Sequence, residues 1–184
     1  GKKVFLDLKL HDIPNTVRGA LLASLRYGAD IIDIHIQGGK QMLAACADAA
    51  QEYSAKSGTS PKIIGVTLLT SLSEDYLEDY GISSSPLGYV LKLAKFAKDA
   101  RLDGVVSSAR ESRDIKKLCG KDFITVTPGI RLNSGSWDDQ KRAVTPQDAV
   151  QAGADYIVVG RPITRSPDPS RAVEEFRLAL EERA

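Results

Sequence analysis

Short runs of β-branched and other apolar residues recur along this chain and alternate with longer segments of helical periodicity. The runs predict six strands, at residues 4–8, 30–36, 62–70, 104–108, 123–128 and 156–160. Helices are predicted between most of them, at 15–27, 39–56, 85–100 and 168–183. Twice, in YGADIID at 27–33 and AGADYIV at 152–158, a glycine ends a helix just before a strand begins. Near-continuous apolar strands that alternate with helices indicate a parallel sheet covered by helices.

Two architectures contain such units: an open doubly wound sheet and part of a (β/α)₈ barrel. No G-x-G-x-x-G motif follows a predicted strand, which weakens the dinucleotide-binding form of the open sheet. Polar residues instead occur at the carboxyl ends of several strands, which is typical of a barrel with its active site on one rim. They are Asp7, Lys9, His35, Thr70, Ser107, Ser108, Arg131 and Arg161. We therefore predict an α/β fold of the TIM-barrel class, with residues 1–184 forming a single domain of about six β/α units.

The composition argues against several kinds of partner. A formal net charge of +1 gives no general reason to expect binding to nucleic acid or to an acidic membrane surface. No apolar run approaches the roughly 18 residues that a membrane span needs. Cys46 and Cys119 predict reduced, packed thiols and a cytoplasmic protein. No spacing of His, Cys, Asp and Glu resembles a dedicated metal site, so no metal is expected.

The segment FLDLKLHDIPNT, residues 5–16, places three charged side chains in and just after an apolar strand. Asp7 and Lys9 are two residues apart, so they point to the same side of the strand, towards the barrel interior near its rim. Asp12 follows in the loop before the first helix. Because an ammonium between carboxylates is stabilised in its charged form, Lys9 is expected to act as a proton donor and not as a Schiff-base nucleophile. An ion-pair network that only stabilises the fold is the alternative interpretation.

Two glycine-containing loops near the end of the chain predict a phosphate site. TPGIR at 127–131 and VVGRPIT at 158–164 each close a strand, and barrels commonly bind phosphate at the loops after their last two strands. Gly129 and Gly160 permit close approach of the backbone to a ligand, and Arg161 offers a planar fork that matches phosphate oxygens. A plain turn that carries a solvated arginine is the alternative. Arg131 and Gln140 can reach a ligand from the long polar loop at 130–145.

Five segments together resemble the bacterial orotidine 5′-phosphate decarboxylases. They are DLKLHDIPNT, VTLLTS, DGVVSSARE, TPGIR followed by DQ, and DYIVVGRPIT, and the resemblance extends over residues 2–171. It implies conversion of orotidine monophosphate to UMP in pyrimidine biosynthesis by a lyase that uses neither a metal nor an organic cofactor. The D-x-K-x-x-D pattern alone is shared with a wider superfamily of sugar-phosphate enzymes, whereas HDIPNT and the spacing from PGIR to Gln140 are more specific.

The resemblance also implies roles for individual residues. Lys9 would protonate C6 after carbon dioxide leaves, and Asp7 would lie beside the substrate carboxylate and hold Lys9 in place. Asp12, Ile13 and Thr16 would reach into the site of a neighbouring subunit, so that the active unit is a homodimer.

Further substrate contacts follow from the same resemblance. Thr70 would hydrogen-bond the pyrimidine. The phosphate and the lid that closes over it would involve Arg131, Gln140, Gly160 and Arg161, with Pro128 of the PGIR segment among the substrate-binding residues.

The resemblance leaves one part of the family pattern unmatched. Members carry two further strands upstream, with an aspartate that contacts the ribose and a second lysine of the charge network. The chain would therefore correspond to the C-terminal three quarters of the barrel. Because six strands alone leave open sheet edges, we expect these 184 residues by themselves to be insoluble or inactive. A magnesium-dependent sugar-phosphate lyase of the same superfamily and a non-catalytic nucleotide-phosphate-binding subunit are the alternative functions.

Overall fold

A computed structural model describes residues 1–132 and 144–181 of the chain. Six strands form one sheet in which every strand pairs in parallel with the next in chain order. They are β1 (Phe5–Leu10), β2 (Ile31–His35), β3 (Lys62–Val66), β4 (Gly104–Val106), β5 (Ile124–Pro128) and β6 (Tyr156–Val158). All six predicted strands are present, but β3 ends at Val66, four residues earlier than predicted. Residues 67–70 instead lead out of the sheet towards the cavity described below.

Helices cover the outer face of this sheet. They are α1 (Pro14–Arg26), α2 (Gly39–Ser57), α3 (Glu74–Asp79), α4 (Pro86–Asp99), α5 (Ala109–Cys119), α6 (Pro146–Gln151), α7 (Arg161–Thr164) and α8 (Pro169–Glu181), with a 3₁₀ turn at Ile36–Gly38. The four predicted helices correspond to α1, α2, α4 and α8 over the described residues. Local sequence explains several ends: Gly58 ends α2 with φ of 72°, and Ser108 and Glu111 form a capping box that begins α5.

The main hydrophobic core lies between the sheet and helices α1, α2 and α4. It is built from fully buried aliphatic side chains, which include Leu21, Ile32, Ile34, Met42, Leu43, Ile63 and Val90. Ile32 and Ile34 alternate along β2 with Asp33, so the neighbouring residues of this strand point to opposite sides of the sheet. The apolar side therefore faces the helices, and the other side is left for polar groups.

Three aspartates connect neighbouring strands by hydrogen bonds at the amino end of the sheet. Each of them directly precedes a strand: Asp30 precedes β2, Asp103 precedes β4 and Asp155 precedes β6. Each accepts a hydrogen bond from a backbone N–H in or just before the preceding strand: from Val4 at 2.7 Å, from Ile63 at 2.9 Å and from Thr125 at 2.7 Å respectively. These carboxylates therefore act at the end of the sheet opposite to the predicted site.

The sheet is curled, so that its first and last strands approach the same cavity. Phe5 of β1 and Val158 of β6 both line that cavity, although the two strands stand at opposite ends of the strand order. Within residues 1–132 and 144–181, β1 and β6 each pair with one strand only. The six strands thus form a curled sheet that is an open part of a barrel, with β1 and β6 as its edge strands.

Candidate active site

A cavity of about 300 Å³ lies at the carboxyl ends of the strands. It brings together five of the predicted site residues, which come from β1, the loop after β3, the end of β5 and the start of α7: Asp7, Lys9, Thr70, Pro128 and Arg161. Parallel strands present their carboxyl ends at one edge, which explains how residues so distant in sequence converge.

The other predicted site residues lie elsewhere in the described structure. Asp12, Ile13 and Thr16 are exposed at the start of α1, and they do not line the cavity. Arg131 is buried and donates a hydrogen bond from Nη1 to the carbonyl of Ile130 at 3.0 Å. Gly160 is exposed and immediately precedes α7.

Gln140 lies outside the described residues. Of the described residues that are predicted to bind phosphate, which are Arg131, Gly160 and Arg161, Arg161 alone lines the cavity.

Lys9 and Asp7 form an ion pair at the open side of the cavity. The Lys9 Nζ donates a hydrogen bond to Asp7 Oδ1, and the two side chains are 40% and 48% exposed. Lys9 has a backbone φ of 50°, in the left-handed region that residues other than glycine seldom adopt. The register of β1 against β2 shifts between Leu6 and Leu10, so the strand is irregular where it carries Lys9. The predicted contact is present, but it depends on this irregular backbone.

Asp33 is an additional carboxylate at the centre of the site. It comes from the middle of β2, lines the cavity, and is only 1% exposed. Its Oδ1 accepts hydrogen bonds from the backbone N–H groups of Leu8 and Lys9, both at 2.8 Å, and its Oδ2 lies 3.9 Å from Lys9 Nζ. Asp33 is not predicted from the sequence as a site residue, because residues 30–36 are interpreted as an apolar strand with His35 at its rim. The sequence feature that could have identified it is the position of a carboxylate between Ile32 and Ile34 in an otherwise apolar strand.

The two carboxylates beside Lys9 have displaced pKa values. Burial raises the pKa of Asp33 from 3.8 to about 6, and the neighbouring Asp7 carboxylate adds to this effect. Burial alone would also raise the pKa of Asp7, but interactions with Lys9 and Asp33 outweigh it and hold that pKa below 3.8. Asp7 is therefore ionised at neutral pH, and an ammonium faces a fixed negative charge inside a partly desolvated cavity.

A buried hydroxyl and two histidines complete the neighbourhood. Ser107 lines the cavity, and its Oγ has no hydrogen-bond partner within the described part of the chain. The rings of His11 and His35 lie 5.3 Å apart, and burial lowers the pKa of His35, which is therefore neutral at pH 7. In residues 1–132 and 144–181, no group of three or more His, Cys, Asp and Glu side chains is arranged to hold a metal ion. No helix there is long and apolar enough to cross a bilayer.

The arrangement has the chemistry of a proton-delivering site. An ammonium group at the cavity wall can stabilise negative charge that develops on a bound molecule and can then transfer a proton to it. Arg161 lines the same cavity and offers the donor geometry that suits an anionic group of a ligand.

Residues 1–176 match the family model described as the orotidine 5′-phosphate decarboxylase / HUMPS family. The chain belongs to this family. It is 47% identical to the orotidine 5′-phosphate decarboxylase of Syntrophotalea carbinolica over 187 aligned residues, which cover 99% of this chain and 77% of that protein. It is 46% identical to the enzyme of the same name from Idiomarina loihiensis, with the same two coverages.

Solved structures give the same result. The crystal structure of orotidine 5′-phosphate decarboxylase from Lactobacillus acidophilus superposes with a TM-score of 0.84 at 38% identity, over 98% of this chain and 76% of that one. This similarity confirms the predicted fold class, a TIM barrel of which the chain supplies about three quarters. It also confirms the predicted family.

Proposed function

We propose that this protein is an orotidine 5′-phosphate decarboxylase in which Lys9 supplies the proton that replaces the carboxylate. The bond between C6 of the pyrimidine and the carboxyl carbon breaks, its electron pair stays on C6, and carbon dioxide leaves. The Lys9 ammonium then gives a proton to C6 to form UMP, and the amine regains a proton from water. The observation that carries this proposal is the Lys9 ammonium paired with Asp7 in the cavity, within a chain of this family.

Electrostatics supports the assignment of Asp7. Its depressed pKa keeps it ionised at neutral pH, so a substrate carboxylate placed beside it is repelled. The repulsion disappears when that carboxylate leaves as neutral carbon dioxide, whereas the attraction of Lys9 for negative charge on C6 grows. Interactions that strengthen only as the reaction proceeds raise kcat.

The phosphate of the substrate would be held where the end of β5 and the start of α7 line the cavity. Arg161 lines it at the start of α7, next to Gly160, and Pro128 lines it at the end of β5. We assign phosphate binding to Arg161, Gly160, Arg131 and Gln140, and pyrimidine binding to Thr70. Binding energy from this remote group assists the reaction at C6.

The site is proposed to be shared between two subunits of a homodimer. The support is the position of Asp12, Ile13 and Thr16 on the surface at the start of α1, where they are accessible to a second subunit. Ile13 is a large apolar residue that is 67% exposed, which suits an interface better than open solvent. A cytoplasmic location fits the free, buried thiols of Cys46 and Cys119.

Substitution of Lys9 tests the proposal. In the full-length protein, Lys9→Ala is expected to reduce kcat for UMP formation to less than a few per cent of wild type, because the proton donor is lost. The matched control is Lys62→Ala, which also removes a partly exposed lysine that is paired with an aspartate, Asp103, at 2.9 Å. Activity is followed by the change in pyrimidine absorbance. A Lys9→Ala enzyme as active as Lys62→Ala contradicts the role of Lys9.

The other functions make different predictions for wild type. An EDTA-sensitive activity on hexulose phosphates, with no turnover of orotidine monophosphate, would identify a sugar-phosphate lyase. Tight UMP binding without turnover would identify a binding subunit.

A further inference from the structure

We propose that Asp33 is a positioning residue, which holds Lys9 in its reactive orientation by fixing the irregular backbone of β1. The inference rests on the proposed role of Lys9 and extends it to a residue on the neighbouring strand. Asp33 acts through the Lys9 backbone and is not itself expected to touch the substrate.

The first observation is the pattern of backbone hydrogen bonds around Lys9. Residues between Leu6 and Leu10 leave the regular register with β2, so their N–H groups need another acceptor. Asp33 Oδ1 accepts from two successive N–H groups, those of Leu8 and Lys9, each at 2.8 Å. Two adjacent N–H groups that converge on one anionic oxygen are typical of a backbone segment that includes a left-handed residue.

The second observation is the conformation that this contact accompanies. Lys9 has a φ of 50°, and Arg101 is the one other non-glycine residue of the described chain with a positive φ. Such a conformation persists only where the surroundings determine it. The hydrogen bonds from the Leu8 and Lys9 N–H groups to Asp33 stabilise this conformation, and the ammonium is thereby directed to Asp7 and to the cavity.

The third observation is the location of the carboxylate. Asp30, Asp103 and Asp155 also accept backbone N–H groups across strands, but they do so at the amino end of the sheet, where they are less buried. Asp33 is 1% exposed in the middle of a strand, where an acidic group is costly. The other three aspartates already connect neighbouring strands through such hydrogen bonds. We therefore attribute the burial of Asp33, despite its cost, to the support that it gives to the site.

The chemistry of the contact predicts which substitutions are tolerated. Asparagine retains an oxygen that can accept from both N–H groups, and its NH₂ can donate to Asp7. Leucine is similar in size but leaves both N–H groups without an acceptor. Asp33→Asn should therefore preserve the position of Lys9, and Asp33→Leu should release it.

The kinetic test compares these variants in the full-length protein, with Asp30→Asn and Asp30→Leu as matched controls. For Asp33→Leu we expect kcat to fall about 100-fold, the typical effect of displacing a catalytic group by about 1 Å, with KM changed less than about threefold. For Asp33→Asn we expect kcat within about fivefold of wild type. The Asp30 variants should lower thermal stability and leave kcat unchanged.

A second readout does not depend on decarboxylation. The rate of reductive methylation of Lys9, measured by mass spectrometry relative to Lys62 in the same sample, should rise severalfold in Asp33→Leu and stay near wild type in Asp33→Asn. If Asp33→Leu does not fold, Asp33→Ala replaces it, since water can then enter and solvate the two N–H groups.

The outcomes separate the two proposals. A wild-type protein that forms no UMP contradicts the proposed function, and the methylation rates still decide whether Asp33 positions Lys9. An active wild type with an Asp33→Leu enzyme of unchanged kcat overturns the inference. So does an Asp33→Asn enzyme that loses as much activity as Asp33→Leu.

Discussion

At the scale of single residues, Asp7 and Asp33 show how burial and partners compete around one lysine. Both lie near Lys9, yet the pKa of Asp7 is lowered and that of Asp33 is raised to about 6. Asp7 is half exposed and bound directly by the ammonium, whereas Asp33 is buried and lies 3.9 Å from it. The difference follows from the cost of ionising a carboxyl group away from water.

This difference predicts how stability depends on pH. A carboxyl with a raised pKa in the folded state binds more protons there than in the unfolded state between pH 3.8 and about 6. The free energy of unfolding of wild type should therefore fall relative to Asp33→Asn as the pH rises through this window, and the difference should be constant above it. The charged groups that act on Asp33 are Asp7 and Lys9 from β1, and His35 is a further titratable group on β2. The pKa of Asp7 lies below 3.8, so Asp7 stays largely ionised in the folded state throughout this window.

Urea unfolding of the full-length wild type and Asp33→Asn at several pH values measures the effect. A stability difference that is independent of pH between 4 and 7 would contradict the raised pKa of Asp33.

At the scale of secondary-structure elements, the aspartates before alternate strands explain part of the sheet's regularity. The Asp155 carboxylate accepts the N–H of Thr125 at 2.7 Å and pairs with Lys116 at 2.6 Å, so it joins β5, β6 and α5. The sequence indicates the repeated glycine turn before β2 and before β6. It does not indicate the aspartate contacts, because their donors lie on a different strand.

Removal of this contact should affect stability and not chemistry. Asp155→Ala leaves a backbone N–H without its partner, so we expect a loss of about 1–3 kcal/mol in the free energy of unfolding. Asp114→Ala, which removes an exposed pair with Lys117, should change it by less than about 0.5 kcal/mol. Thermal unfolding and kcat are measured for both. A large fall in kcat for well-folded Asp155→Ala would show that the amino end of the sheet is coupled to the cavity.

The strands and helices follow from the sequence more completely than the site does. Asp7 and Lys9 line one cavity as predicted, although β1 is irregular at Lys9 and does not alternate there. Thr70, Pro128 and Arg161 reach the same cavity from beyond or at the carboxyl ends of their strands. Asp33 is not predicted, because its role depends on a register shift between two strands, which no local pattern records. The early end of β3 is missed for a related reason: the apolar run continues through residue 69, although the backbone has left the sheet.

At the scale of the whole molecule, the cavity and the surface at the start of α1 present different parts of one proposed site. Lys9 lines the cavity, whereas Asp12 is exposed outside it. In the proposed homodimer, Asp12 of one subunit would contribute to the active site of the other. A shared site has a specific consequence for mixtures of inactive variants, since each subunit contributes one of the two residues.

Subunit mixing tests this consequence. Lys9→Ala and Asp12→Ala are each expected to be inactive, and equal amounts that exchange freely should recover about a quarter of wild-type activity, because half the dimers then contain one intact site. Mixing either variant with more of itself is the control. No recovery after exchange has been demonstrated by mass spectrometry would contradict a site shared through Asp12.

The central claim is that the Lys9 ammonium faces the carbon that loses its carboxylate, and a crystal structure of the full-length protein with UMP tests it most directly. We predict the Lys9 Nζ within about 3.5 Å of C6, with Asp33 still accepting the Lys9 N–H. A Lys9 side chain turned away from the pyrimidine and towards the outer helices would contradict the account.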